Sequence, residues 1–124
     1  MDYIKFGKTS LKVSRLCLGT MHFGQFCSRE FSFDILSKAA ELGFNFLDTA
    51  DVYGSMDFDK RGGSEQIIGD WLAQDRTRRD KIVLATKVFG EMGYGPNDMG
   101  LSAFPGPADL SPEAYWAIPG IKYA

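Results

Sequence analysis

The chain has 124 residues, enough for one domain that buries a real core. Charged residues make up 24% and hydrophobic ones 44%, with a net charge of −2, a balance that fits neither a disordered chain nor a polyanion binder, so no nucleic acid partner is expected. No apolar run approaches the roughly twenty residues of a membrane-spanning helix, and an N-terminus carrying Asp2, Lys5 and Lys8 lacks the apolar core of a signal peptide. The two cysteines, Cys17 and Cys27, have no C-x-x-C spacing and suit a reducing compartment, so the expected location is the cytoplasm, away from membranes.

Tyr3 to Phe6 and Leu11 to Val13 read as short strands around the turn-rich Gly7-Lys8-Thr9-Ser10, which predicts a small N-terminal hairpin. Leu16 to Thr20 is an apolar run ending in glycine and threonine. After a loop, Ser32 to Leu42 reads as a helix with Phe33, Leu36 and Ala40 on one face and Asp34, Ser37, Lys38 and Glu41 on the other. Gly43 supplies its stop.

The next unit repeats the plan. Strand Phe44 to Leu47 leads through a loop, Asp48 to Gly63, into a second helix in which Ile67, Ile68, Trp71 and Leu72 recur at helical spacing, with Ser64 and Glu65 serving the free amides of its first turn. Trp71 sits in that apolar stripe and reads as a core anchor. Arg76 to Lys81 is a charged connector into a third strand, Ile82 to Thr86, that ends at Lys87. Strand, helix, strand, helix, strand at these lengths forms a parallel sheet through right-handed crossovers.

In such a sheet Gly19 and Thr20, Asp48, and Lys87 all end strands on one rim, where α/β enzymes place their chemistry. Asp48 and Lys87 fall on adjacent strands, where an ion pair shielded from water is natural, and Tyr53 on the loop above can lean toward the ammonium. A cation about 4 Å from a phenol, at an effective dielectric of about 20, favours the phenolate by roughly 4 kcal/mol before desolvation is charged. The chemical reading is a general acid working near neutral pH. Singly, each residue has a plainer explanation: a loop cap for Asp48, a solvated strand end for Lys87, a common Tyr-Gly turn for Tyr53. His22, the only histidine, lies in the first loop with no placed partner.

Val13-Ser14-Arg15-Leu16-Cys17-Leu18-Gly19-Thr20-Met21, Phe44 to Gly54, Ser64-Glu65-Gln66-Ile67-Ile68-Gly69 and Leu84-Ala85-Thr86-Lys87-Val88 resemble the aldo/keto reductases, in order and at the family's spacing, over residues 1 to about 102. The likeness is greatest to the bacterial branch that also resembles potassium-channel β subunits. It implies an α/β fold, the N-terminal portion of a (β/α)8 TIM barrel, in which NADPH gives a hydride to an aldehyde or ketone. By motif position it implies Tyr53 as proton donor, Lys87 as the group that acidifies it and Asp48 as the partner that orients Lys87. Gly19, Thr20 and Met21, with Asp48, match the segments beside the nicotinamide and its ribose. No metal site is implied.

The chain also departs from that pattern. No residue occupies the place of the family's histidine at the end of the fourth strand, and residues 103–124 replace an expected Arg-, Glu- and Leu-bearing helix with a tail holding four of the five prolines. Only Pro112 to Ala117 suits a single helical turn. The chain reads as the first third of a reductase, residues 1–102, with a divergent ending. From this follow the expectations of a marginally folded polypeptide without measurable carbonyl reduction and of self-association through open sheet edges. The alternatives are a binding or regulatory module and the remnant of a broken gene.

Overall fold

The computed structural model describes residues 1–55 and 61–88. At its start, β1 (Tyr3–Lys5) and β2 (Lys12–Ser14) form the expected antiparallel hairpin, with Tyr3 opposite Ser14 and Lys5 opposite Lys12. The hairpin is fastened to the rest by directional bonds. The Tyr3 hydroxyl donates to the Gly43 carbonyl at 2.8 Å, Asn45 bonds Ser14 and Lys12 through its side-chain amide, and the Phe6 ring meets Phe46 edge-on at 5.5 Å. These contacts place it under the amino ends of the main sheet.

That sheet has three parallel strands, β3 (Leu18–Gly19), β4 (Phe46–Asp48) and β5 (Val83–Ala85), with β4 in the middle. The register sets Gly19 beside Asp48 and Asp48 beside Ala85. The two crossovers carry α1 (Arg29–Glu41) and α2 (Gly63–Ala73), so the predicted order of elements holds. Among the described residues β3 and β5 are the edge strands.

Helix α1 begins three residues earlier than predicted because Ser28 caps it, its hydroxyl accepting from the Phe31 N–H at 3.1 Å. Its buried stripe is Ser32, Leu36 and Ala39, one residue round from the predicted face, while Ala40 is exposed. Ser32 can be buried because its hydroxyl returns to the Ser28 carbonyl at 2.7 Å. Ser37, assigned by its chemistry to the polar face, instead accepts the Trp71 indole N–H at 3.0 Å. Gly43 ends the helix at φ 87°, as predicted from its tolerance of the left-handed region.

The Arg76–Lys81 connector is a 3-10 helix, not an irregular link, capped by Asp75, whose carboxylate accepts the Thr77 N–H at 2.9 Å. The core lies between sheet and helices: Phe23, Leu36, Leu47, Ile67, Ile68, Trp71 and Ile82, with Trp71 fully buried as predicted. Leu47 is the inward residue of the middle strand. The expected boundary at residue 102, the tail over 103–124 and the turn at Pro112 to Ala117 lie outside the described residues.

Leu47→Ala removes apolar contacts at the centre of this layer, where the side chain is only 1% exposed. Urea unfolding followed by circular dichroism is expected to show a loss of about 2–5 kcal/mol.

Candidate functional site

The parallel register decides which side chains share the rim. Side chains alternate along a strand, so Lys87, two residues beyond Ala85, projects from the same sheet face as Asp48. Its ammonium lies 2.8 and 2.7 Å from the two carboxylate oxygens of Asp48. Tyr53 stands on a turn above them, and the Lys87 Nζ is 5.0 Å from its ring centroid. Backbone bonds weave the three strand ends together: the Thr20 N–H donates to the Asp48 carbonyl, the Thr49 N–H to Ala85, and the Asp51 N–H to Lys87, each at about 3 Å.

The ion pair forms as predicted, but it is not shielded from water. The side chains of Lys87 and Asp48 are 45% and 38% exposed. Lys87 nevertheless holds its proton more tightly than an ordinary lysine. Partial burial pulls the other way, and the Asp48 carboxylate outweighs it by hydrogen bonding and charge, with Tyr53 adding to the same effect. Cys17 lies near the same pair. Partial burial pushes its thiol upward and Asp48 adds to this, against Lys87.

The residues expected to line a cofactor divide into two kinds. Gly19, beside Asp48 in the register, is exposed, with no atom within 4 Å of the place a side chain would take, and Met21 is half exposed. Thr20 is different. It is completely buried, and its hydroxyl is directed back into the protein at the Asp48 carbonyl, 2.9 Å away. His22 meets Phe26 edge-on at 5.2 Å, outside the Asp48 and Lys87 pair.

Sequence reasoning missed a buried cluster of hydroxyls directly behind the rim. Ser64 Oγ lies 2.8 Å from Thr20 Oγ1 and 3.0 Å from Thr49 Oγ1, and all three residues are fully buried. Ser64 does stand in the first turn of α2, but its side chain does not cap the helix. Gly62, at φ 86°, occupies the cap position and has no side chain to offer. The only signal in the sequence was a threonine directly after the β3 and β4 ends, Thr20 and Thr49, and nothing in it paired them with Ser64 of α2.

A cavity of about 410 Å³ opens beside Tyr53, lined mostly by apolar groups including Met21, Phe26 and Val52. A second, of about 390 Å³, lies at the opposite end of the strands around Tyr3, Trp71, Arg78 and Ile82 and contains none of the rim residues. Among the described residues no group of histidine, cysteine or carboxylate side chains could hold a metal ion, and no helix is long and apolar enough to cross a membrane.

This arrangement can be set beside known proteins. The family described as the aldo/keto reductase family matches residues 15–104. An uncharacterized oxidoreductase, YrpG, of Bacillus subtilis is 48% identical over 109 residues, covering 84% of this chain and 32% of its own. A probable voltage-gated potassium channel subunit beta of Arabidopsis thaliana is 39% identical, covering 82% of this chain and 29% of its own. Among solved structures, the holo form of the aldo-keto reductase AKR11C1 from Bacillus halodurans superposes with a TM-score of 0.62 at 35% identity, over 79% of this chain and 29% of that one. The chain thus spans between about a fifth and a third of the length of the curated relatives it matches. Its strands and helices correspond to part of the (β/α)8 barrel of the solved reductases. From the match of motif, sheet and rim together, the chain belongs to the aldo/keto reductase family.

Proposed function

We propose that the rim is built for NADPH-dependent reduction of an aldehyde or ketone to an alcohol, with Tyr53 as the proton donor. The observation that carries this reading is the meeting of a phenol and a carboxylate from β4 and its following turn with an ammonium from beyond β5, the ammonium 5.0 Å from the ring and bonded to both carboxylate oxygens. A structural ion pair has no need of the phenol.

The residues present fit a nicotinamide ring. Gly19 offers bare backbone beside open space at a strand end, with Asp48 next to it in the register and Met21 on the cavity beside Tyr53. A reduced nicotinamide cofactor bound there would supply the hydride. The rest falls to the chain's own groups. Tyr53 gives its proton to the carbonyl oxygen as negative charge develops there. Lys87 stabilises the charge left on the phenolic oxygen. Asp48, gripping the ammonium with both oxygens, keeps it beside the ring. The apolar cavity next to Tyr53 suits the hydrocarbon part of the carbonyl substrate. The choice of NADPH over NADH rests on family resemblance.

A second reading is a binding role, favoured by the 39% identity to the Arabidopsis potassium channel subunit. One assay separates the two. NADPH oxidation is followed with a panel of aromatic and aliphatic aldehydes and ketones, and any turnover the chain supports is expected to fall about 10²- to 10⁴-fold in Tyr53→Phe. A chain with no turnover on any of them favours the binding reading, which co-purification with a partner chain would then support.

The Lys87 shift gives a pH test. Its folded value is raised above the ordinary 10.5, so the stability contributed by the pair is complete below about 10.5 and lost as pH rises through the folded value. The difference in urea midpoint between the unmodified chain and Asp48→Asn is expected to be constant from about pH 8 to 10 and to shrink above that. A gap that widens above about pH 10.5 would contradict the assignment.

A further inference from the structure

Tyr53 stands on a turn, so no helix or strand fixes where its ring points. Its backbone is held at both ends: its N–H donates to the Ala50 carbonyl at 3.1 Å, and its carbonyl accepts from the Ser64 N–H at 3.2 Å. Ser64 is therefore bonded to the Tyr53 backbone by its amide and to both neighbouring strand ends by its hydroxyl. That hydroxyl lies 2.8 Å from Thr20 Oγ1, 2.9 Å from the Thr20 carbonyl and 3.0 Å from Thr49 Oγ1. One proton order satisfies the whole cluster: Thr49 donates to Ser64, Ser64 to Thr20, and Thr20 to the Asp48 carbonyl. Packing tightens the same joint. A Cβ added at Gly54, which has φ 110°, would stand 2.6 Å from the Ser64 nitrogen and 2.7 Å from the Gly63 Cα.

We propose that Ser64 is a positioning residue for Tyr53, its buried hydroxyl locking the first turn of α2 to β3 and β4 so that its amide holds the Tyr53 backbone over Lys87 and Asp48. The inference rests on Tyr53 being the proton donor. It differs from mere satisfaction of a buried polar group, because the hydroxyl chain ends on the residue that grips Lys87 while the amide ends on the phenol's own backbone. Phenol and ammonium thereby share one anchor.

The test uses the full chain with tyrosine labelled at Cζ with carbon-13. There are five tyrosines, and the Tyr53 signal is assigned by its absence in Tyr53→Phe. Ser64→Ala is expected to shift the Tyr53 signal and weaken its contact with Lys87, while leaving the Tyr3 signal, bonded to Gly43 at the far end of the sheet, in place. Thr49→Val, which keeps the shape and removes one hydroxyl, is expected to do the same to a smaller extent. In turnover, Ser64→Ala is expected to lower kcat by about 10- to 100-fold with little change in KM. Unchanged Tyr53 signals in both folded variants would overturn the proposal. So would a Thr49→Val chain that unfolds, since the cluster would then serve stability alone. If Tyr53 moves in the variants but Tyr53→Phe turns over as fast as the unmodified chain, it is the reading of Tyr53 as proton donor that fails, and the anchoring of its backbone stands.

Discussion

The rim depends on one constraint, the parallel register that sets Gly19, Asp48 and Ala85 side by side with β4 in the middle. Because side chains alternate, the residue before Asp48 must point the opposite way, and Leu47 is 1% exposed in the layer between sheet and helices. A slip of one residue would carry the Asp48 carboxylate into the environment of Trp71 and Ile68 and put Leu47 in water. An unpaired buried carboxylate and a lost core leucine are both heavily unfavourable, so the apolar pattern that builds the core also decides which face bears the chemistry. Core and site are two readouts of one register.

The ion pair itself adds little to that stability. With side chains 45% and 38% exposed, Lys87 and Asp48 belong with surface pairs, which are worth about 0–1 kcal/mol. Its effect is geometric and electrostatic. Two bonds from one ammonium to both oxygens of a carboxylate hold a long, flexible lysine in one place, and the same carboxylate keeps it protonated. A cation held there is available to a neighbouring phenol throughout the neutral range, whatever it contributes to folding.

What could be read from the sequence followed from patterns with one physical solution. An apolar run stopped by Asp48, another stopped by Lys87, and a glycine after a helical stripe each allow few structures, and the strand ends, the Gly43 terminator and the Asp48–Lys87 pair all stand where those patterns put them. The helix faces were harder. Alanine and serine are small enough to sit on either side, so Ala39 rather than Ala40 is buried and Ser37 turns to the Trp71 indole, choices made by the partner across the interface and invisible in one segment alone. The 3-10 helix at Arg76–Lys81 escaped because its cap, Asp75, precedes a run that carries no apolar period. The hydroxyl cluster escaped for a third reason: Thr20, Thr49 and Ser64 are separated by up to 44 positions, and only the folded sheet brings them together. Thr20, which family likeness sets beside a cofactor, in fact spends its side chain on this cluster.

The way Tyr53 is held follows from how α2 begins. The first amides of a helix have no partner within it and are usually met by a side-chain cap. Here the cap position is Gly62, which has none to give, and a left-handed φ of 86° swings the chain abruptly into the helix. The Ser64 amide is thereby left for the Tyr53 carbonyl, while the Ser64 hydroxyl, freed from capping, turns to the strand ends. A serine at the cap itself would have satisfied the helix from within and left the turn unattached. By moving the hydroxyl two residues inward and placing glycines at 54 and 63, the chain lets backbone approach backbone closely enough for the open end of a helix to hold a loop. The placement of the phenol is therefore inherited from the fully buried junction of two strand ends and a helix, although the phenol itself stands on a turn.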